Sequence, residues 1–280
     1  MHADPGTGPA GGPIGHGSPG RGTCSLVDPP ATPVGPGSGE RTYRSFARTA
    51  GPRTAFRVRV ETTDLYLRAD RDLSPEALEA ARRARREVEA HIADRPAFAT
   101  ALTPLSEPGG VLPPVIASMY AAGQAAGVGP MAAVAGALAG AVGRELRRWS
   151  LEVLVENGGD VFLDLADETI VGLFAGGSPF SGRIGLRVAP GSAPLGVCTS
   201  SGTVGPSLSY GRADAATAVA ADPALADAVA TAVANRVREP GNLAAAVEWA
   251  LTVPGVRGAF AVLGDRLAAV GEVELVALRS

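Results

Sequence analysis

The chain contains no lysine: all 25 of its basic residues are arginine. With Ala, Gly and Pro abundant, that reads as biased genome composition and not as a functional choice. Net charge is only −3, so the strongly basic surface of a general nucleic-acid binder is missing. Cysteine occurs twice, at Cys24 and Cys198, too rarely for a disulfide framework. A reducing, cytoplasmic setting is therefore expected. Histidine occurs three times, and only His91 lies in the part expected to fold; His2 and His16 do not. Residues 1–30 lack the contiguous apolar stretch of a signal peptide, and Cys24 in RGTC lacks the hydrophobic lead of a lipoprotein anchor. A long apolar run is missing as well. Residues 108–143 carry no charge, but Pro113-Pro114 and GVGP (127–130) divide them into Ala- and Gly-rich pieces. These fall short of the ~20 strongly apolar residues a membrane span needs, and they read as buried helices.

What is present suffices for a sizeable core: 280 residues, 46% of them hydrophobic. Residues 1–42 are expected to be a disordered tail, since the first 40 include 11 Gly and 8 Pro. Residues 43–280 are expected to form one domain. Phe56, Val58 and Val60 alternate with Arg57 and Arg59 as a half-buried strand, and TTD turns into a second strand through Leu65 and Leu67. Ser74-Pro75 reads as an N-cap and first helical position. The helix that follows puts Ala77, Ala81, Ala84, Val88 and Ile92 on one face and Arg82, Arg83, Arg85 and Arg86 on the rest, a solvated face or an anion site. Helices are also expected over 114–126 and from Pro130 to Leu146, where Gly136, Gly140 and Gly143 would allow close packing. After residue 150 the period becomes two. LEVLVE places Leu151, Val153 and Val155 inward and Glu152, Leu154 and Glu156 on the other face. Further short strands follow, with helices over 224–237, capped by Asp222, and from Asn242 to Leu251. Strands and helices come in blocks, which predicts an α+β fold with a mainly antiparallel sheet packed with helices.

Three blocks carry chemistry. In ENGGD (156–160), Gly158-Gly159 is either an ordinary hairpin turn or a corner whose amides face an anionic ligand, with Asn157 or Asp160 orienting it. VCTSSGT (197–203) sets Cys198, the hydroxyls of Thr199, Ser200 and Ser201, and Gly202 at a strand end, where a phosphate or carbonyl can bind; a plain Ser/Thr-rich turn is the alternative. Cys198 reads as a buried apolar residue or a nucleophile, with no histidine near it in sequence. In ALADAVATAVAN (224–235), Asp227 and Thr231 are four apart, one turn along one helix face, where both can reach one hard cation such as Mg²⁺. An incidental Asp on an Ala-rich helix is the other reading. ADAATAVA (213–220) looks like a strand whose Asp214 and Thr217 do not share a face.

In this order the blocks resemble the ApbE superfamily, best known for flavin transferases that cleave FAD and attach FMN to a protein hydroxyl. There a GGD turn, a TSG segment and an ADALAT-type helix build the FAD and Mg²⁺ site. Here they read Gly158-Gly159-Asp160, Thr199-Ser200-Ser201-Gly202 and Ala226 to Thr231. The strings VENGGDVFL, GVCTSSGTVG and SLSYGRADA look closer still to a sister family within that superfamily, and the resemblance covers about residues 55–275. It implies an ApbE-like, T-fold-related domain that binds FAD or a related flavin or nucleotide with Mg²⁺. Asp227, Thr231 and a backbone carbonyl near Ala133–Ala135 would hold the metal, an acceptor protein would supply Ser or Thr, and a homodimer has precedent. Where flavin transferases usually have Lys-Gly this chain has Ala135-Gly136, and PSLSYGRADA stands in place of their His-x-x-Asp-Pro. Flavin binding therefore carries over better than FMN transfer. Two alternatives accompany it: sulfur transfer in homocysteine formation with Cys198 as carrier, and a non-catalytic ligand-binding relative.

Overall fold

The computed structural model describes residues 53–191, 194–202 and 211–278, together with the backbone of two short strands at 25–26 and 48–49. The expected tail otherwise lies outside the described residues. The strands are β1 (Ser25–Leu26), β2 (Arg48–Thr49), β3 (Thr54–Val60), β4 (Thr63–Ala69), β5 (Val153–Asn157), β6 (Asp160–Asp164), β7 (Thr169–Gly172), β8 (Ile184–Val188), β9 (Leu195–Ser200), β10 (Ala215–Ala220), β11 (Val256–Leu263), β12 (Arg266–Gly271) and β13 (Glu274–Ala277). The helices are α1 (Ser74–Asp94), α2 (Ala97–Thr100), α3 (Pro114–Ala126), α4 (Val134–Leu146), α5 (Pro223–Arg236) and α6 (Leu243–Ala250). A 3-10 turn, Pro130–Ala133, leads into α4.

The result is a mixed α+β fold, as the blocks predict. A nine-stranded antiparallel sheet runs β1-β12-β11-β10-β9-β6-β5-β4-β3. One face carries the helices: Val153, Val155 and Phe162 pack with Val142 and Leu146 of α4 and Ala77 of α1. The other is covered by the four-stranded sheet β13-β8-β7-β2, where Leu154, Val161 and Val197 meet Ile184 and Leu186. That second cover corrects the expected alternation. Leu154 and Glu156 are as buried as Val153 and Val155, because neither face of β5 meets water. Leu151 precedes the strand and is 82% exposed.

Helix starts differ in detail from their sequence signals. Ser74 is the first residue of α1, and Asp72 accepts hydrogen bonds from its amide at 2.8 Å and its hydroxyl at 2.6 Å. The Arg face of α1 is paired with carboxylates: Arg83 with Glu145, Arg85 with Glu61 and Glu89, Arg86 with Glu79. Asp222 caps α5 as expected, accepting from the Ala224 amide at 3.1 Å. Asn242 instead turns its side chain back to the amides of Arg238 and Glu239. Among the described residues no single helix is long and apolar enough to cross a membrane; α3 and the segment Pro130–Leu146 are bent by 107°.

α5 is the centre of the helix layer. Its sequence is apolar on nearly every side, and it is buried against β9, β10, α3 and α4. The small residues of α4 permit that packing. A Cβ at Gly136 would lie 2.2 Å from the Pro223 carbonyl oxygen, and one at Gly143 would lie 2.1 Å from the Phe162 ring. Gly143→Ala is expected to destabilise the fold by about 1–3 kcal/mol, the usual result of overpacking. The measurement is a lower urea midpoint at unchanged m-value.

Candidate functional site

Four segments meet at one end of the helix layer: the β5–β6 hairpin, the end of β9, the start of α4 and the middle turns of α5. Strand register decides which side chains arrive there. Asn157 pairs with Asp160, and Asp160 with Cys198. Residues directly opposite share a face. Val155 and Phe162, two residues back on the same face, pack on α4, so Asn157, Asp160, Cys198 and, two beyond it, Ser200 face the helices. Thr199 faces the other way, and its hydroxyl lies 2.8 Å from that of Thr217 on β10.

The hairpin corner is Gly158-Gly159, with φ of 71° and 110°. Both values suit glycine, so an ordinary two-residue turn accounts for both residues. The Gly159 amide donates to the Glu156 carboxylate at 2.9 Å, and the Asn157 amide group donates to the Ala135 carbonyl at 3.1 Å. Hairpin and α4 are thereby tied together. The Gly202 amide donates to the Ala213 carbonyl at 2.9 Å. The PSLSY part of PSLSYGRADA, Pro206 included, lies outside the described residues.

From α5, Asp227 and Thr231 project into this junction, 8% and 9% exposed. Asp227 is thus buried on its Ala-rich helix. Asp227 Oδ2 accepts from the Gly136 amide at 2.9 Å, in the first turn of α4. Thr231 Oγ1 lies 3.4 Å from Ser200 Oγ. Ala133, the third expected metal contact, is fully buried where the 3-10 turn enters α4.

The electrostatics are those of carboxylates held away from water. Burial lifts the Asp227 carboxyl from 3.8 to about 7, against the pull of the Gly136 and Ala135 amides. Burial and then the negative charge of Asp227 push Asp160 well above the carboxylate range. Cys198 is fully buried, and burial followed by the two aspartates raises its thiol too. Its Sγ lies 3.3 Å from the Pro223 carbonyl. His91 stands elsewhere, with Nε2 3.0 Å from the Tyr120 hydroxyl and its ring edge-on to Phe98. Asp214, set apart from the metal reading on its strand spacing, accepts from the Gly264 amide at 2.7 Å. Among the described residues no three His, Cys, Asp or Glu side chains group to hold a metal. A cation here would depend on hydroxyl and carbonyl oxygens as well as carboxylate.

One participant, the Gly136 amide, escaped the sequence reading. Thr217 and Glu156, which hold Thr199 and Gly159 from the other face of the sheet, become visible only once the register is known. The Gly136 amide needs an acceptor from elsewhere because the α-helix starts at Val134, not at the expected Pro130, without Ser, Thr, Asp or Asn before it.

Residues 46–253 match the family model described as AbpE bacteria. The chain belongs to this family. It is also similar to the UPF0280 protein of Methanocella arvoryzae, 41% identical over 222 residues that cover 79% of this chain and 90% of that one. The UPF0280 protein of Methanosphaerula palustris is 44% identical over 198 residues, 70% and 81% of the two chains. Among solved structures, the flavin transferase ApbE from Vibrio cholerae superposes with a TM-score of 0.51 at 10% identity, over 79% of this chain and 97% of that one. So low an identity speaks for a shared fold alone.

The Asp227 value makes a stability prediction with a definite sign. Between 3.8 and about 7 the folded chain holds a proton that the unfolded chain has released. The stability this contributes is complete at the acid end, falls as pH rises through that window and is level above it. Asp160 acts in the same direction. In a cation-free protein, Asp227→Asn is expected to flatten this fall, raising the urea midpoint relative to wild type most at pH 8 and less at pH 5.

Proposed function

We propose that the chain binds a flavin nucleotide such as FAD, or a related diphosphate, together with Mg²⁺, in the notch between the Asn157–Asp160 hairpin and α5. The observation that carries the reading is the buried carboxylate and hydroxyl of Asp227 and Thr231, one turn apart on a helix whose middle turns have no solvated face. The residues present suit such a group. Carboxylate, hydroxyl and carbonyl oxygens are the donors a hard cation takes. Among the described residues a Cβ at Gly158 would meet nothing within 4 Å, which leaves room for a ligand at the corner.

Asp227 and Thr231, with the Ala133 carbonyl, would hold the metal. A cation there offsets negative charge on a diphosphate as a Lewis acid. The chain's own part is positional. Asn157 clamps the open corner to α4, and Ser200 stands beside the Thr231 hydroxyl and orients it. The Gly159 and Gly202 amides are engaged within the fold, so phosphate contacts fall to Gly158 and Ser200, with Ser201 and Asp160 beside them. Transfer of FMN to a Ser or Thr of an acceptor protein is the enzymatic form of the same reading. On this reading the VENGGD and GVCTSSGT strings of this chain would mark a sister family within the ApbE superfamily.

The alternative, sulfur carriage by Cys198, needs an accessible thiolate. A fully buried thiol raised by two aspartates favours the flavin reading over it. A ligand-binding relative without transfer differs in one observable, the release of AMP.

The test is to incubate the full chain with FAD and Mg²⁺, pass it through gel filtration, and measure retained flavin and released AMP. Wild type is expected to retain flavin. Asp227→Ala should lose at least about tenfold in affinity, the loss that removing even an outer-shell partner of a metal brings. Absence of flavin from wild type, with Asp227→Ala indistinguishable from it, would contradict the proposal.

A further inference from the structure

Asp160 has a feature the reading above leaves unused. Its Oδ1 is buried and, among the described residues, has no hydrogen-bond partner. The side chain is only 7% exposed. A buried carboxylate oxygen left without a donor is strongly unfavourable, and such oxygens in folded proteins are met by a hydrogen bond, a water or an ion. The Cys198 thiol and the Thr199 amide stand beside the same carboxylate.

Geometry fixes where Asp160 points. It opens β6 at the hairpin, directly across from Asn157 on one side and Cys198 on the other, on the face turned to the helices. Asn157 reaches the Ala135 carbonyl, and the next amide, that of Gly136, is held by Asp227. Cys198 reaches the Pro223 carbonyl in the first turn of α5, one turn before Asp227. Asp160 is therefore flanked by the two side chains that bridge sheet and helices around Asp227. Its neighbour Glu156, by alternation, lies on the opposite face of the sheet and is occupied by the Gly159 amide.

We infer that Asp160 is a direct ligand of the cation, so that a carboxylate from the sheet and a carboxylate from α5 hold one divalent ion between them. The inference rests on the proposed cation site at Asp227 and Thr231, and it adds a property. Two carboxylates balance the charge of a divalent ion, so the chain binds the metal before any phosphate arrives. A site with one carboxylate and one hydroxyl would need the diphosphate to complete it. The Asp160 ligand also couples the Gly158-Gly159 corner to the ion, because the two lie on adjacent residues of one turn.

The probe is Mn²⁺ alone. Full-length protein stripped with EDTA is titrated with Mn²⁺ and followed by electron paramagnetic resonance of the free ion, without nucleotide. Wild type is expected to take up one Mn²⁺ per chain. Asp160→Asn keeps the shape, removes the charge, and should weaken uptake by about tenfold or more, ligand charge being a main determinant of affinity for hard cations. Asp160→Ser serves as a second variant. Thermal unfolding in EDTA shows that each variant folds, and the rise in Tm on adding Mn²⁺, present in wild type, should be lost in both. Uptake by Asp160→Asn equal to wild type, or no uptake by wild type without nucleotide, would overturn the inference. FAD retention is scored separately. Mn²⁺ uptake that depends on Asp160, in a protein that retains no FAD, supports this ligand and removes the flavin reading. FAD retention with Mn²⁺ uptake indifferent to Asp160 does the reverse.

Discussion

The hydrogen bond from the Gly136 amide to the Asp227 carboxylate organises the molecule around it. α4 begins without a capping side chain of its own, and the amides of its first turn must find an acceptor. α5 supplies one from within the core. To do so it must come so close that Gly136, Gly140 and Gly196 all lie against Pro223. Once α5 is seated, Thr231 is carried to Ser200 and Cys198 to the Pro223 carbonyl. The hairpin is then drawn in by Asn157 on Ala135. One contact between two helices thus joins the groups that strand register brings to the junction.

That contact alone does not account for the chemistry chosen. An asparagine at 227 would accept the same hydrogen bond without carrying charge into the core. The chain instead places Asp227 there and Asp160 across from it, and burial pushes both carboxyls up. Buried acids within each other's field are unfavourable in an empty protein, and such arrangements concentrate where a ligand relieves them. A cation bound between them would return that stability, which is the role proposed above for this corner.

The order of strands and helices was legible because each block keeps its own period: two in TAFRVRV, three to four in the α4 stripe. The layer beyond was not. Alternation put Leu154 with Glu152 and Glu156 on the face away from the core, and the β13-β8-β7-β2 sheet explains why Leu154 and Glu156 are buried. The Asp227–Thr231 pair could be read from helical spacing alone, since four residues make one turn. Thr199 illustrates the opposite case. Composition grouped it with Ser200 and Ser201, but strand alternation turns its hydroxyl to Thr217, away from the helices. Hydroxyl-rich strings are ambiguous until the register is known, because a shift of one residue exchanges the faces.

The central claim is that one cation sits between α5 and the glycine corner. It is tested most directly by the anomalous scattering of a crystal of the full chain soaked in Mn²⁺. The account predicts one strong peak in the junction, bonded to oxygens of Asp227 and Thr231 and lying on the helix-facing side of the β5–β6 hairpin. A fully occupied Mn²⁺ bound elsewhere, with Asp227 still turned wholly to the Gly136 amide, would contradict it.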